Sequence, residues 1–211
     1  MKSSLFLCLV LAVLPACGEQ REATIASIAL YTQFQQNPPQ AVLEALQDEL
    51  ESLMSPMGMH FDWRSLNAAR SNEVAVELAV LTFKGRCDVT GLQPRLTGPG
   101  ALGWTHVSDG VILPFSEVDC DRIRGFVQRE LLTLHPEERE EVFGRALGRV
   151  VAHELYHIFA NTGRHGSCGV GKGAFTVQEL VGDDFEFEAQ EFIALRTSKV
   201  RAALENTTGT P

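Results

Sequence analysis

The sequence has no excess of positive charge and no long hydrophobic run beyond its first residues. Its 18 Lys and Arg residues are outnumbered by 27 Asp and Glu residues, which gives a formal net charge of −9. Nucleic-acid partners are therefore not expected, because phosphate backbones attract clustered Lys and Arg. No repeat or low-complexity block is present, and no segment after residue 14 is long and apolar enough to cross a membrane as a helix.

The first 17 residues predict export. Met1-Lys2 precede an apolar run, residues 5–14, that is too short to span a bilayer and is typical of a signal peptide. The run Leu14-Pro15-Ala16-Cys17 resembles a bacterial lipobox, with an unusual proline, and Cys17 would be the lipidated residue. We expect a cell-envelope protein, periplasmic or at the outer membrane, whose only membrane contact is this lipid anchor. Simple cleavage and secretion are the alternative.

Cysteines are few, and their positions fit an oxidising compartment. Of the 5 in the sequence, Cys8 would leave with the leader. Cys87 and Cys120 each end a strand-like run, so they are the favoured disulfide pair. Cys168 is left over, three residues after His165, either as a free thiol or as a zinc ligand.

The length after the leader suits one domain with a sizeable core. Residues 18–23 are predicted to be a polar tether, residues 24–204 the folded domain, and residues 205–211 a disordered tail. Alternating apolar residues predict strands at 24–34, 59–66, 74–83, 103–107 and 111–115. Helical spacing predicts helices at 40–54, 122–134, 137–160, 175–181 and 185–204.

This order of elements predicts an α+β fold in which a small mixed sheet packs on the helix at 137–160. Ser108-Asp109-Gly110 is a good tight-turn signal, so the strands on either side of it should pair. One of those two strands is expected at the sheet edge, where it could bind an extended substrate by strand addition. The sequence does not choose between them.

The run His153-Glu154-Leu155-Tyr156-His157 is the most informative motif. It spells HExxH, and residues four apart on a helix share one face, so both imidazoles can bind one cation. The Glu between them can take a proton from a water activated by zinc. Random placement of 6 His and 19 Glu in this chain would produce about 0.015 such matches. The motif predicts a zinc hydrolase, usually a peptidase, with Glu154 as the general base.

A catalytic zinc commonly has three protein ligands and an open position. His165 follows His153 by twelve residues, and a turn containing Gly163 could bring it back over the helix end. Glu179, which forms an ExxxD pair with Asp183, is the other candidate. Glu179, Asp183 and Asp184 are the candidate carboxylates that could orient the ligand histidines.

The run HELYHIFANTGRHGSCGVGK resembles a group of bacterial zincin metallopeptidases, in which HExxH is followed after seven residues by a third His. The resemblance extends to residues 101–104 and 109–115 and covers about two thirds of the mature chain. It implies a zincin-like fold, zinc ligation by His153, His157 and His165, and Glu154 as catalytic base. Gly171 departs from the pattern, because such relatives often place a Met there, beneath the metal.

The predicted function is that of a zinc-dependent metallopeptidase acting on a peptide or protein substrate. Two alternatives stay open: a catalytically inactive, zincin-like envelope lipoprotein that uses zinc for structure or partner binding, and a metal hydrolase acting on a non-peptide bond. Residues 166–172 also fit the nucleotide-binding pattern GxxxxGK. Gly173 stands where that motif needs Ser or Thr and no strand precedes it, so a glycine-rich turn is expected instead.

Overall fold

The computed structural model of the chain describes residues 27–69, 75–93 and 100–208. Two short 3₁₀ turns, Ser55–Met57 and Leu66–Ala68, punctuate the first half. The strands are β1 (Ile28–Phe34), β2 (Phe61–Ser65), β3 (Leu78–Lys84), β4 (Gly103–Ser108) and β5 (Val111–Asp119). The helices are α1 (Gln40–Met54), α2 (Cys120–Thr133), α3 (Pro136–Phe159), α4 (Val177–Val181), α5 (Ala189–Arg196) and α6 (Lys199–Thr208).

The five strands form one mixed sheet in the order β2-β1-β3-β5-β4. Strands β2, β1, β3 and β5 run parallel, and β4 pairs antiparallel with β5 through the turn at Asp109 and Gly110. Strand β4 is therefore the edge next to β5, which settles the choice between the two candidate edge strands. The predicted α+β fold, with a mixed sheet packed on the HExxH helix, is confirmed.

Helix α3 is the central element of the helical layer, and two glycines let it approach α1 closely. A Cβ atom on Gly144 would lie 2.5 Å from the carbonyl oxygen of Val42, and one on Gly148 would lie 2.9 Å from that of Leu46. Next to this contact, the buried Arg149 donates to Glu49 at 2.6 Å and to the carbonyl of Glu179 at 2.8 Å. These contacts within the chain fix the position of α3 without any bound ligand.

The predicted disulfide between Cys87 and Cys120 is present, with the two Cα atoms 4.9 Å apart. It joins the chain just after β3 to the first residue of α2, and both residues are buried. Cys168 is free and exposed.

Reduction of this disulfide should destabilise the domain. The bridge closes a loop of 33 residues, and the loss of unfolded-state entropy for such a loop corresponds to about 3–4 kcal/mol. We expect the Cys87→Ser/Cys120→Ser variant to unfold at a lower urea concentration than the wild type, by this amount of free energy. Cys168→Ser is the control and should unfold like the wild type; equal stability of all three proteins would contradict the prediction.

Several boundaries differ from those predicted. Strand β5 continues four residues beyond Phe115, and β3 begins at Leu78. The single helix predicted at 185–204 is two helices, because the Ser198 hydroxyl accepts a hydrogen bond from the Arg201 N–H and caps the start of α6. Helix α6 continues through Thr208, four residues beyond the predicted end of the last helix at residue 204.

Some predictions lie outside the described residues. These are the signal peptide, Cys17, the tether at 18–23, and the beginnings of the first and third predicted strands. Among the described residues, none of the helices combines the length and the apolar character that a membrane span requires.

Candidate metal centre

The last two turns of α3 place the HExxH residues in the interior of the protein. Both His153 and His157 are buried, at 8% and 7% exposure. Their Nε2 atoms face one another at 3.1 Å. Two nitrogens bound tetrahedrally to one zinc at about 2.0–2.1 Å lie about 3.3 Å apart, so this spacing is close to that of two ligands of one ion.

Backbone carbonyls orient both imidazoles. The Nδ1 atom of His153 lies 2.7 Å from the carbonyl oxygen of Val170, and that of His157 lies 2.6 Å from the carbonyl oxygen of Thr162. A carbonyl oxygen only accepts hydrogen bonds, so both Nδ1 atoms must carry the proton and donate it. In the neutral imidazole, Nε2 is then the unprotonated nitrogen and is available to a metal.

The two Nε2 atoms therefore face one another as acceptors, an arrangement that a cation between them would stabilise. Burial lowers the pKa of His153 to about 4 and also lowers the pKa of His157. A shared proton is thus disfavoured near neutral pH. Imidazole nitrogens are ordinary zinc ligands, so the residues present fit a divalent metal ion.

His165 joins this pair from the loop that follows α3. Asn161 adopts a left-handed conformation with φ of 47°, and the Thr162 N–H donates to the carbonyl of His157. The chain thus reverses at Asn161, not at Gly163, and returns over the helix end. The ring of His165 stacks on that of His153 with centroids 5.3 Å apart. It meets the ring of His157 edge-on at 4.8 Å.

One nitrogen from each of His153, His157 and His165 can be chosen so that all three lie within 4.8 Å of one another. His165 is exposed, whereas the other two are buried. The structure thus brings together the three predicted histidines, and their role as ligands stays a prediction. Because His165 is exposed, one side of the cluster is open to solvent.

Glu154 is held on the sheet side of the site by β4. It is 3% exposed, and its Oε2 accepts a hydrogen bond from the Thr105 hydroxyl at 2.7 Å. The Thr105 hydroxyl can in turn accept from Ser116 Oγ, 2.8 Å away on β5. Burial raises the pKa of Glu154 to about 7, and the bond from Thr105 opposes that rise. A carboxyl group with a pKa near neutrality is well placed to accept and release a proton.

Thr105→Val should impair hydrolysis without loss of zinc. The substitution keeps the shape of the side chain but removes the hydroxyl that positions the Glu154 carboxylate. Because hydrogen bonds to charged groups contribute about 1.5–3 kcal/mol, we expect kcat/KM to fall by about tenfold or more. Thr82→Val, on the opposite face of the sheet, should retain full activity. Unchanged kinetics in the Thr105 variant would show that Glu154 is positioned by other contacts.

A cleft of about 580 Å³ opens beside the three histidines. Strand β4 supplies one wall and the loop after α3 supplies another. Its apolar lining includes Leu102, Trp104, Val107, Ile112, Phe126 and Phe175. Trp104 is half-buried and lines this cleft. His106 lies on strand β4 beside Glu117, with Nε2 and Oε1 3.0 Å apart, and does not line the cleft.

The other candidate ligands lie elsewhere. Glu179 accepts from the Lys172 ammonium group and from the N–H and hydroxyl of Thr176, which lowers its pKa to about 2. It is not part of the histidine cluster. The Sγ atom of Cys168 lies 2.6 Å from a carboxylate oxygen of Glu188 and is also outside the cluster.

Several contacts of the site could not be predicted from the sequence. The groups that orient His153 and His157 are the carbonyls of Val170 and Thr162, and not the carboxylates of Glu179, Asp183 or Asp184 that the sequence offered as candidates. Carbonyls carry no residue-specific signal, since every residue has one. Thr105 and Ser116 also gave no signal, because their meeting with Glu154 depends on the pairing of β4 with β5.

No protein-family model matches the sequence, and neither does any curated protein sequence. Among solved structures, the chain is similar to archaemetzincin from Methanopyrus kandleri. The likeness has a TM-score of 0.48 at 13% sequence identity and covers 88% of this chain and 98% of that chain.

Proposed function

We propose that this protein is a zinc-dependent peptidase. The observation that carries the proposal is the pair of Nε2 atoms of His153 and His157, which face one another as acceptors with His165 above them. The second support is a buried glutamate with a raised pKa at the adjacent helical position. A site that held zinc for structure alone would have no need of such a base, and structural zinc is usually closed by four ligands.

The three histidines would hold the ion, and Glu154 would handle the proton. Zinc, when bound, lowers the pKa of a water molecule towards neutrality and polarises a carbonyl group. Glu154 would accept the proton of that water and deliver it to the leaving amine. Thr105 would keep the carboxylate turned towards the cleft during both transfers.

The substrate would lie in an extended conformation along β4. This strand is a sheet edge that contributes Gly103, Trp104, Thr105 and Val107 to the cleft wall. An extended peptide can add to such an edge through main-chain hydrogen bonds, which suits a peptidase that must present a backbone amide. A Cβ atom on Gly103 would lie 2.9 Å from Glu154 Oε1, so a glycine at this position leaves room for the base.

We further propose that the enzyme acts in the cell envelope, anchored by lipid at Cys17 or secreted after cleavage of the leader. Support comes from the apolar run at 5–14 and the lipobox-like residues that follow it. A buried disulfide is also typical of proteins that fold outside the cytoplasm.

The test is a metal analysis of the purified mature domain together with a digest of an unbiased peptide library. We expect about one equivalent of zinc and cleavage that stops when the metal is removed by a chelator. Zinc without cleavage would favour the inactive, binding or structural alternative. Cleavage of esters or other acyl compounds without peptide cleavage would favour the non-peptide hydrolase, and absence of zinc would refute the proposal.

A further inference from the structure

We propose that Glu191 is a positioning residue of the metal centre, which acts on His153 through the peptide group joining Val170 to Gly171. The inference rests on the proposed function, since it assigns Glu191 to the support of a zinc ligand. Glu191 lies on α5, in a part of the chain where the sequence indicated no site residue.

The same peptide group is bonded at both ends. Its N–H, from Gly171, donates to Glu191 Oε1 at 3.0 Å. Its carbonyl, from Val170, accepts from His153 Nδ1 at 2.7 Å. Val170 is fully buried and Glu191 is 4% exposed, so water does not compete for these groups. A continuous path of hydrogen bonds thus runs from the Glu191 carboxylate to the imidazole.

The burial of Glu191 requires an explanation, because a buried carboxylate is costly unless it is paired. In the described part of the chain, no Lys or Arg forms an ion pair with it. Its hydrogen-bond donors are the N–H of Gly171 and, at 2.9 Å from Oε2, the N–H of Glu188. Burial raises its pKa, as expected for a carboxyl group with only backbone donors.

The carboxylate has a definite effect on His153. An anionic acceptor makes a stronger hydrogen bond than a neutral one, and hydrogen bonds in series polarise one another. Polarisation of the peptide group makes the Val170 carbonyl a better acceptor for the Nδ1 proton. Partners of this kind fix the ring and raise the basicity of the other nitrogen, here the Nε2 that faces the metal position.

Three glycines leave the space that Glu191 occupies. A Cβ atom on Gly166 or Gly171 would lie 2.9 Å or 2.3 Å from Glu191 Oε1, and one on Gly169 would lie 3.0 Å from Oε2. These are the glycines of the run that resembled a nucleotide-binding motif. Their physical role here is to admit a carboxylate. A side chain at position 171 would displace the Glu191 carboxylate, which gives a structural reason for glycine there.

Glu191→Gln is the variant that tests the path, because it keeps the side-chain shape and removes the charge. We expect zinc affinity, measured by competition with a chelator, to fall by about tenfold. Glu186→Gln, an exposed position five residues away, makes the same charge change and should bind zinc like the wild type. Unchanged zinc affinity in a folded Glu191 variant would overturn the inference.

Gly171→Ala provides a second, independent perturbation, since its methyl group would displace the carboxylate. It should weaken zinc binding by a similar factor. The double variant Gly171→Ala/Glu191→Gln should be no weaker than the weaker single variant, because both remove the same interaction. Additive losses would mean that each substitution acts by a separate structural route, and would count against the inference.

A spectroscopic measurement on the metal-free protein separates this inference from the proposed function. In NMR spectra we expect Glu191→Gln to move the Gly171 amide proton and the His153 Nδ1 resonances, while Glu186→Gln leaves both unchanged. If the wild type binds no zinc and these resonances still move together, the proposed function fails and the path stands. If the His153 resonance stays in place, the path is refuted whatever the metal content.

Discussion

Glu154→Gln should abolish peptide hydrolysis and leave zinc binding intact. The substitution preserves the side-chain shape and its contact with Thr105, but an amide cannot accept a proton from water. General acid–base groups contribute about 10²- to 10⁴-fold to rates, so we expect kcat/KM to fall by at least about 10²-fold. The measurement is the rate of cleavage of a peptide identified in the library digest, with zinc content determined on the same sample.

The matched control is Glu137→Gln, an exposed position in the first turn of the same helix. It should retain the activity and the zinc of the wild type. Full activity in the Glu154 variant would eliminate this residue as the base. Loss of zinc along with activity would instead mean that Glu154 supports the metal, so the variant could no longer report on proton transfer.

Removal of any one of the three histidines should cost the protein its zinc. His153→Ala and His157→Ala each delete one of two facing Nε2 atoms and leave an unpaired imidazole in a buried site. We expect no stoichiometric zinc and no hydrolysis in either variant. His165→Ala should weaken zinc binding and abolish hydrolysis, although its exposed position makes the variant the least disruptive of the three to folding.

Two controls sharpen this experiment. His106→Ala removes a histidine on β4 that is paired with Glu117 and lies outside the cluster, and it should keep its zinc. Glu179→Ala should keep its zinc as well, because its carboxylate bonds to Lys172 and Thr176. Loss of zinc in the Glu179 variant, with zinc retained in the His165 variant, would reverse the assignment of the third ligand.

Local sequence determined helices α1 and α3 and the chemistry of the HExxH motif. The limits of α1 were predicted at 40–54, and those of α3 at 137–160, because apolar residues recur at helical spacing along both. The pairing of Cys87 with Cys120 was also predictable, since each cysteine ends a strand-like run. These features depend on neighbours within a few turns or on chemically distinctive residues.

Helix boundaries near the end of the chain were less predictable. Residues 185–204 have a spacing compatible with one helix, yet Ser198 caps a new helix there. A serine within a helical pattern can point to solvent or terminate the helix, and the difference depends on how α5 and α6 pack. The continuous apolar periodicity of residues 185–204 therefore predicts one helix and does not reveal the break between α5 and α6.

The sequence by itself identified two histidines that could bind one zinc ion and the glutamate that could serve as base, because i and i+4 positions on a helix share one face regardless of the fold around them. Only the tertiary structure decided the rest. The return of His165 depends on the reversal at Asn161, and the contact of Thr105 with Glu154 depends on β4 being the sheet edge beside α3. The hydrogen bonds from His153 to Val170 and from Gly171 to Glu191 join segments that are distant in the chain. Every residue carries the same main-chain groups, so the sequence does not show which of them pair, and only the folded chain does.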